Sequence, residues 1–74
     1  MNAAEINMEI DRIINKGYCY YTLEQAYSSL RKIKPYISYQ DYWNIMVELN
    51  HKRLGKGADK LVEVCKLIIH RMGD

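Results

Sequence analysis

Apolar residues recur at intervals of three and four along most of the chain, which is the spacing of one face of an α-helix. Gly17, Pro35 and the segment Gly55-Lys56-Gly57 interrupt this pattern and divide it into four segments. The predicted helices cover residues 3–16, 22–34, 39–54 and 58–72. The sequence therefore predicts an all-α fold, a compact bundle of four short helices in a single domain over residues 1–74.

The segment Tyr18-Cys19-Tyr20-Tyr21 has strong strand propensity, but no second run is available to pair with it, so we predict an extended connector there. The match Thr22-x-x-Gln25 predicts a capping box at the start of the second helix, and Ser38 is predicted to cap the third. The first helix has a narrow apolar stripe that is typical of contact with a single neighbour.

The third predicted helix has an unusually broad apolar face, covering about 200° of its circumference. A helix with so wide a face is expected to contact several neighbours, which predicts a central position for it. Three tyrosines on apolar helix faces are predicted to belong to the core: Tyr27, Tyr39 and Tyr42. The apolar residues of the third helix are Tyr39, Tyr42, Trp43, Ile45, Met46, Val47, Leu49 and Leu54.

Composition narrows the class of protein. A chain of 74 residues has room for one small core, and its formal net charge is only +2. No apolar run is long enough to span a bilayer, so we expect no membrane partner. The residues after Met1 do not resemble a secretory signal, so we expect the two cysteines, Cys19 and Cys65, to be reduced thiols. Ile, Lys, Asn and Tyr, which have AT-rich codons, make up more than a third of the chain. These features predict a protein of the cytoplasm of a low-G+C bacterial host, from that cell or from a phage or mobile element.

Few side chains in the sequence could take part in catalysis or metal binding. The side chains that titrate near neutral pH or could act as nucleophiles are His51, His70, Cys19 and Cys65. The two histidines fall on polar helix faces, and Cys65 falls on the face opposite His70, so the pattern provides neither a catalytic pair nor a metal site. We therefore predict a protein that is not an enzyme and that has no cofactor.

Binding of DNA is one interpretation of the basic residues. The second helix, a short turn containing Pro35 and the third helix have the order and spacing of a helix-turn-helix, which would act as a dimer. Most of the basic residues also lie at the ends of predicted helices, where the helix dipole alone would favour them. The candidates for nucleic-acid contact are Arg31, Lys32, Lys34, Gln40, Asn44, Lys52, Arg53 and Lys56.

Binding of another protein is the interpretation that the tyrosines favour. All seven lie within residues 18–42 and the chain has no phenylalanine, although a core built only for burial would be expected to use it. Leu67 and Met8 break the polar faces of their helices, and the nearly continuous apolar surface of the fourth helix suggests a homodimer. The predicted function is that of a small regulator or inhibitor from a phage or mobile element, which docks on a protein or nucleoprotein complex, for example to block a host or defence complex. Its interface candidates are Tyr18, Tyr20, Tyr21, Tyr36, Met8 and Leu67.

Overall fold

Four α-helices account for most of residues 1–73, the part of the chain that the computed structural model describes. They are α1 (Ala3–Lys16), α2 (Leu23–Ile33), α3 (Tyr39–Arg53) and α4 (Leu61–Gly73). Two 3₁₀ turns, Tyr20–Thr22 and Lys34–Tyr36, precede α2 and α3, and residues 1–73 contain no strand. The predicted all-α bundle of four short helices is confirmed. None of these helices combines the length and the apolar character needed to cross a membrane.

The helices form a ring in which each packs mainly against two others. The most extensive contact is between α1 and α2, and further contacts join α2 to α3, α3 to α4 and α4 to α1. The Tyr27 hydroxyl donates to Asn50 Oδ1, which places the start of α2 beside the end of α3. An ion pair of 2.6 Å joins Asp41 to Arg71, so the start of α3 lies beside the end of α4. Successive helices therefore run antiparallel in a bundle of 34 × 18 × 18 Å.

The prediction that the third helix is central is wrong. In the ring α3 packs mainly on α2 and α4, and only Ile45, Glu48 and Leu49 of its residues are buried. The other helices provide most of the core, whose apolar members are Ile6, Ile10, Ile13, Leu23, Ala26, Tyr27, Leu30, Ile33, Ile45, Leu49, Leu61, Cys65 and Ile68. Two neighbours cannot cover an apolar arc of about 200°, so one part of it is left at the surface.

The three tyrosines assigned to the core have different environments. Tyr27 is buried and Tyr42 is half-buried against the core, as predicted. Tyr39 is 74% exposed, so its assignment to the core is wrong. Its position explains the difference, because Tyr39 is the first residue of α3 and its side chain projects from the outer face of that helix.

Side-chain caps fix the starts of α1 and α3. Asn2 Oδ1 accepts from the Glu5 amide at 2.9 Å and Glu5 Oε1 accepts from the Asn2 amide at 3.4 Å, a capping box that the sequence analysis missed. Ser38 Oγ accepts from the Asp41 amide at 3.1 Å, which confirms the predicted cap.

The predicted capping box at Thr22 is wrong. The Thr22 hydroxyl donates a hydrogen bond to the carbonyl oxygen of Lys16 at 2.6 Å and accepts no hydrogen bond from an amide of α2. It fastens the connector to the end of α1 instead. The expectation of an extended connector at residues 18–21 is also wrong except at Cys19. Tyr18 lies in a turn, and the Thr22 amide donates to the Cys19 carbonyl and closes a 3₁₀ turn.

The fourth helix begins at Leu61, later than the predicted residue 58. The Leu61 amide donates to the Ala58 carbonyl at 3.1 Å, which makes residues 58–61 a turn. Glu48, a residue of α3, stabilises the start of α4, because its Oε1 accepts from the Lys60 amide at 3.0 Å. A carboxylate at a helix N-terminus also complements the helix dipole.

Gly17 ends α1 for a reason of packing. Its φ of −72° and ψ of −11° are accessible to every residue. A Cβ atom there, however, would lie 2.7 Å from the Ile13 carbonyl oxygen, 2.7 Å from Leu61 Cδ2 and 2.9 Å from Leu49 Cδ2. The absence of a side chain allows the end of α1 to approach α3 and α4 closely.

Candidate functional site

The outer face of α3 carries a row of exposed apolar side chains, which we call the aromatic row: Tyr39, Trp43, Val47 and Leu54. Intervals of four and seven residues place them on one side of the helix and its C-terminal extension. Their exposed fractions are 74%, 41%, 43% and 68%. The Tyr39 and Trp43 rings meet edge to face with centroids 5.9 Å apart, so the start of the row is a preformed aromatic pair.

Lys34 and Arg53 border the aromatic row near its two ends. Lys34 Nζ lies 4.9 Å from the ring centroid of Tyr42, and that ring in turn makes an edge contact with Trp43. The Arg53 guanidinium lies 5.9 Å from the ring centroid of Tyr27 and is next to Leu54 in the chain. Both cations therefore lie over tyrosine rings where α2 and α3 pack together, Lys34 toward one end of this contact and Arg53 toward the other.

Three of the predicted interface tyrosines lie at one end of the bundle. Tyr18, Tyr20 and Tyr21 are 73%, 62% and 92% exposed. Tyr20 lines a shallow depression together with Lys52, Arg53 and Leu54. The connector tyrosines thus adjoin the last residue of the aromatic row and two of the predicted nucleic-acid candidates.

The other three interface candidates are dispersed. Tyr36, half-exposed, follows α2 at the opposite end of the bundle from the connector tyrosines. Met8 is 63% exposed on α1, and Leu67 is 56% exposed on α4 in a shallow depression with Lys66 and His70. Leu67 is the one large apolar residue that α4 exposes within the described part of the chain, so a dimer through α4 would gain less apolar burial than the apolar pattern of this helix predicts.

The predicted nucleic-acid candidates form two separate groups. Arg31, Lys32 and Lys34 lie at the end of α2, whereas Lys52, Arg53 and Lys56 lie at the end of α3. Because α3 has 15 residues, roughly 22 Å of helix separates the groups.

The arrangement of α2 and α3 also differs from a DNA-reading pair. Contacts between α2 and α3 continue from Lys34 and Tyr42 near the turn to Tyr27 and Asn50 farther from it, so the helices run alongside each other, whereas those of a helix-turn-helix cross at about 90–120°. The side chains assigned to base recognition already bind one another, since Gln40 Nε2 donates to Asn44 Oδ1 at 2.9 Å. These observations disfavour the helix-turn-helix interpretation.

The ionisable groups with catalytic potential are not assembled into a site. His51 Nδ1 lies 3.4 Å from Glu48 Oε2, and that carboxylate also accepts from the Lys60 amide, so Glu48 has a structural role that its position on a polar helix face did not suggest. Burial raises the pKa of the Cys65 thiol to about 12, and the charge of Asp11 acts in the same direction. Residues 1–73 contain no group of three or more His, Cys, Asp or Glu side chains arranged to hold a metal ion.

The sequence pattern does not indicate Trp43 or Val47 as an interface candidate, because both belong to an apolar face that is expected to be buried. The available signal was the width of that face, which exceeds what two neighbouring helices can cover.

Comparison of the chain with protein-family models, with curated proteins and with solved structures finds no match in any of the three.

Proposed function

We propose that this protein is a small binding protein, without catalytic activity, that docks on another protein through the aromatic row of α3. The single observation that carries the proposal is the exposure of Tyr39, Trp43, Val47 and Leu54 on one face of one helix. Isolated exposed apolar residues are ordinary, but several on one face of one helix mark an interaction surface, here interrupted between Val47 and Leu54 by exposed Asn50.

The chemistry of the row suits a protein interface. Tryptophan and tyrosine dominate the binding energy of such interfaces because they offer a large apolar area and lose little conformational freedom. The row is also rigid, since it is built on a helix whose start is capped by Ser38. Tyr20 and Tyr21 extend the surface beyond Leu54, so we include these connector tyrosines in the proposed interface.

The more specific part of the proposal rests on sequence alone. A short chain rich in residues with AT-rich codons is typical of low-G+C bacteria and of their phages and mobile elements. We propose that the protein acts in the cytoplasm of such a cell as a regulator or inhibitor of a host or defence complex.

The proposal is tested by affinity capture from a nuclease-treated lysate of a low-G+C bacterium, with the full chain as bait. Val47→Glu places a charge in the centre of the aromatic row, and Leu67→Glu is the matched control at an exposed leucine on α4. We expect the native protein and the control to retain the same partner, and Val47→Glu to lose it while its thermal unfolding is unchanged.

Three results would contradict the proposal. Retention of the partner by Val47→Glu would show that binding does not use the row. Failure of the native protein to retain any partner would argue against docking on a protein of that cell. A partner captured only when nuclease is omitted would favour the alternative, a DNA-binding regulator.

A further inference from the structure

The partner's chemistry can be inferred from charges that the fold leaves unpaired around the aromatic row. Residues 31–56 contain six basic residues but only two carboxylates, Asp41 and Glu48. Asp41 is bound to Arg71 at 2.6 Å, and Glu48 accepts from the Lys60 amide. Asp41 is therefore engaged with α4, and Glu48 with the turn before α4 and with His51, and neither carboxylate forms an ion pair with Lys34 or Arg53.

Lys34 and Arg53 show the consequence most clearly. Within residues 1–73, the ion pairs involve only Arg12, His51 and Arg71 among the basic residues, so neither Lys34 nor Arg53 has a carboxylate within ion-pair distance. Instead each lies over a tyrosine ring, 4.9 Å from the centroid of Tyr42 for Lys34 and 5.9 Å from that of Tyr27 for Arg53. The aromatic row thus has a basic side chain near each end, and at the Leu54 end Glu24 lines the same depression as Arg53 without forming an ion pair with it.

We infer that the partner presents an acidic amphipathic α-helix of about four turns, which lies along α3. This inference rests on the proposed function and adds the chemistry of the partner. From residue 39 to residue 54 the row is about 22 Å long, the length of roughly 15 helical residues. The apolar face of the partner helix packs on the row, and acidic residues at its margins meet Lys34 and Arg53.

The row's geometry favours a helix as the occupant. Side chains at intervals of four residues form a ridge of the kind that packs into the groove of a second helix. Added strands need an exposed sheet edge, and residues 1–73 offer none. A second copy of this chain is disfavoured because it would bring the same positive margins together, and like charges across an interface oppose binding.

The inference is tested with three capped 18-residue peptides that share leucines at helical spacing and carry Glu, Gln or Lys at the margins. Trp43 is the only tryptophan in the chain and is 41% exposed, so its emission reports directly on occupation of the row. We expect the Glu peptide to bind about fivefold or more tightly than the Gln peptide, and the Lys peptide to bind most weakly. High salt should reduce the difference.

A charge variant and its matched control locate the effect. Replacing Lys34→Gln together with Arg53→Gln should abolish the preference for the Glu peptide and leave binding of the Gln peptide nearly unchanged. The control, Lys60→Gln with Lys66→Gln, removes the same charge from exposed positions around α4 and should keep the preference.

Each remaining outcome overturns a defined step. Equal binding of the Glu and Gln peptides, lost in Val47→Glu, overturns the acidic chemistry and leaves the proposed function standing. No peptide binding, combined with row-dependent capture of a cellular partner, overturns the helical occupant alone. Displacement of the Glu peptide by a 20-base-pair duplex at equal concentration, or self-association that buries Trp43, identifies nucleic acid or a second copy as the occupant and overturns the inference.

Discussion

Gly17→Ala tests the packing of the bundle at a single methyl group. Two effects oppose each other at this position. Alanine adopts the observed φ of −72° without strain and restricts the unfolded chain, which alone would stabilise the protein by about 0.4–1 kcal/mol. The added methyl group would approach the Ile13 carbonyl oxygen and Leu61 Cδ2 to 2.7 Å, and overpacking of this kind costs about 1–3 kcal/mol.

The steric effect is expected to dominate. The Ile13 carbonyl cannot move aside freely because it accepts from the Gly17 amide at 2.8 Å. Leu61 and Leu49 are both buried in the core, so a shift of either side chain disturbs other contacts. We therefore expect a net loss of about 1–2 kcal/mol in the free energy of unfolding. For a domain of this size the melting temperature should fall by about 5–15 °C.

Thermal unfolding followed by far-UV circular dichroism measures the effect, and Gly55 provides the contrast. Gly55 has a φ of +74° and no heavy atom within 4 Å of an added Cβ, so Gly55→Ala should cost about 1 kcal/mol through backbone strain alone. Asparagine tolerates that conformation, so Gly55→Asn should recover part of the loss, whereas Gly17→Asn should be worse than Gly17→Ala. A Gly17→Ala protein that melts at or above the native temperature would refute the described approach of α1 to Leu61 and Leu49.

Three further predictions concern Glu48 and the two cysteines. Glu48→Ala should lower the free energy of unfolding by about 2 kcal/mol, because the Lys60 amide loses its acceptor and α4 loses a favourable charge, and urea denaturation that shows no loss would contradict this role. The pKa of Cys65 is raised from 9.0 to about 12, so between these pH values the unfolded chain releases this proton while the folded chain keeps it. Stability from this group should fall by about 1.4 kcal/mol per pH unit above pH 9, and Cys65→Ala should show a shallower decline. A thiol reagent at pH 8 should label the exposed Cys19 and spare Cys65; equal labelling of both in the folded protein would show that Cys65 is not buried.

The helices were predictable from sequence because their signals are local. The apolar spacing along α1 and α2, the break at Pro35 and the cap at Ser38 each depend on residues within a few positions of one another. The capping prediction at Thr22 is wrong because the Thr22 hydroxyl donates to the distant Lys16 carbonyl, and the Thr22 backbone, with φ −108° and ψ 4°, is not in the extended conformation of an N-cap. The predicted start of α4 is wrong for a similar reason, since it depends on a residue of another helix: Glu48 of α3 accepts from the Lys60 amide.

The candidate site was harder to predict because exposure depends on how the helices are arranged. Trp43 and Val47 have the spacing of core residues, and only the ring order of the bundle shows that no helix within residues 1–73 covers them. The sequence did identify Tyr20 and Tyr21 as surface tyrosines, because they fall in a connector. It did not identify Lys34 and Arg53 as neighbours of the row, since helix dipoles gave a sufficient account of their positions.

The ring order of the helices also determines how the chain is expected to fold. Three of the four main helix contacts join helices that are consecutive in the chain, and the fourth joins α1 to α4. Proteins dominated by such local contacts fold in microseconds to milliseconds. The α1–α2 hairpin combines the most extensive contact with a short connector, so its formation has the smallest loop-closure cost relative to the burial gained. We expect this hairpin to be structured in the transition state and α4 to dock later. Ala26→Gly should therefore slow refolding in stopped-flow measurements, whereas Leu61→Ala should mainly accelerate unfolding.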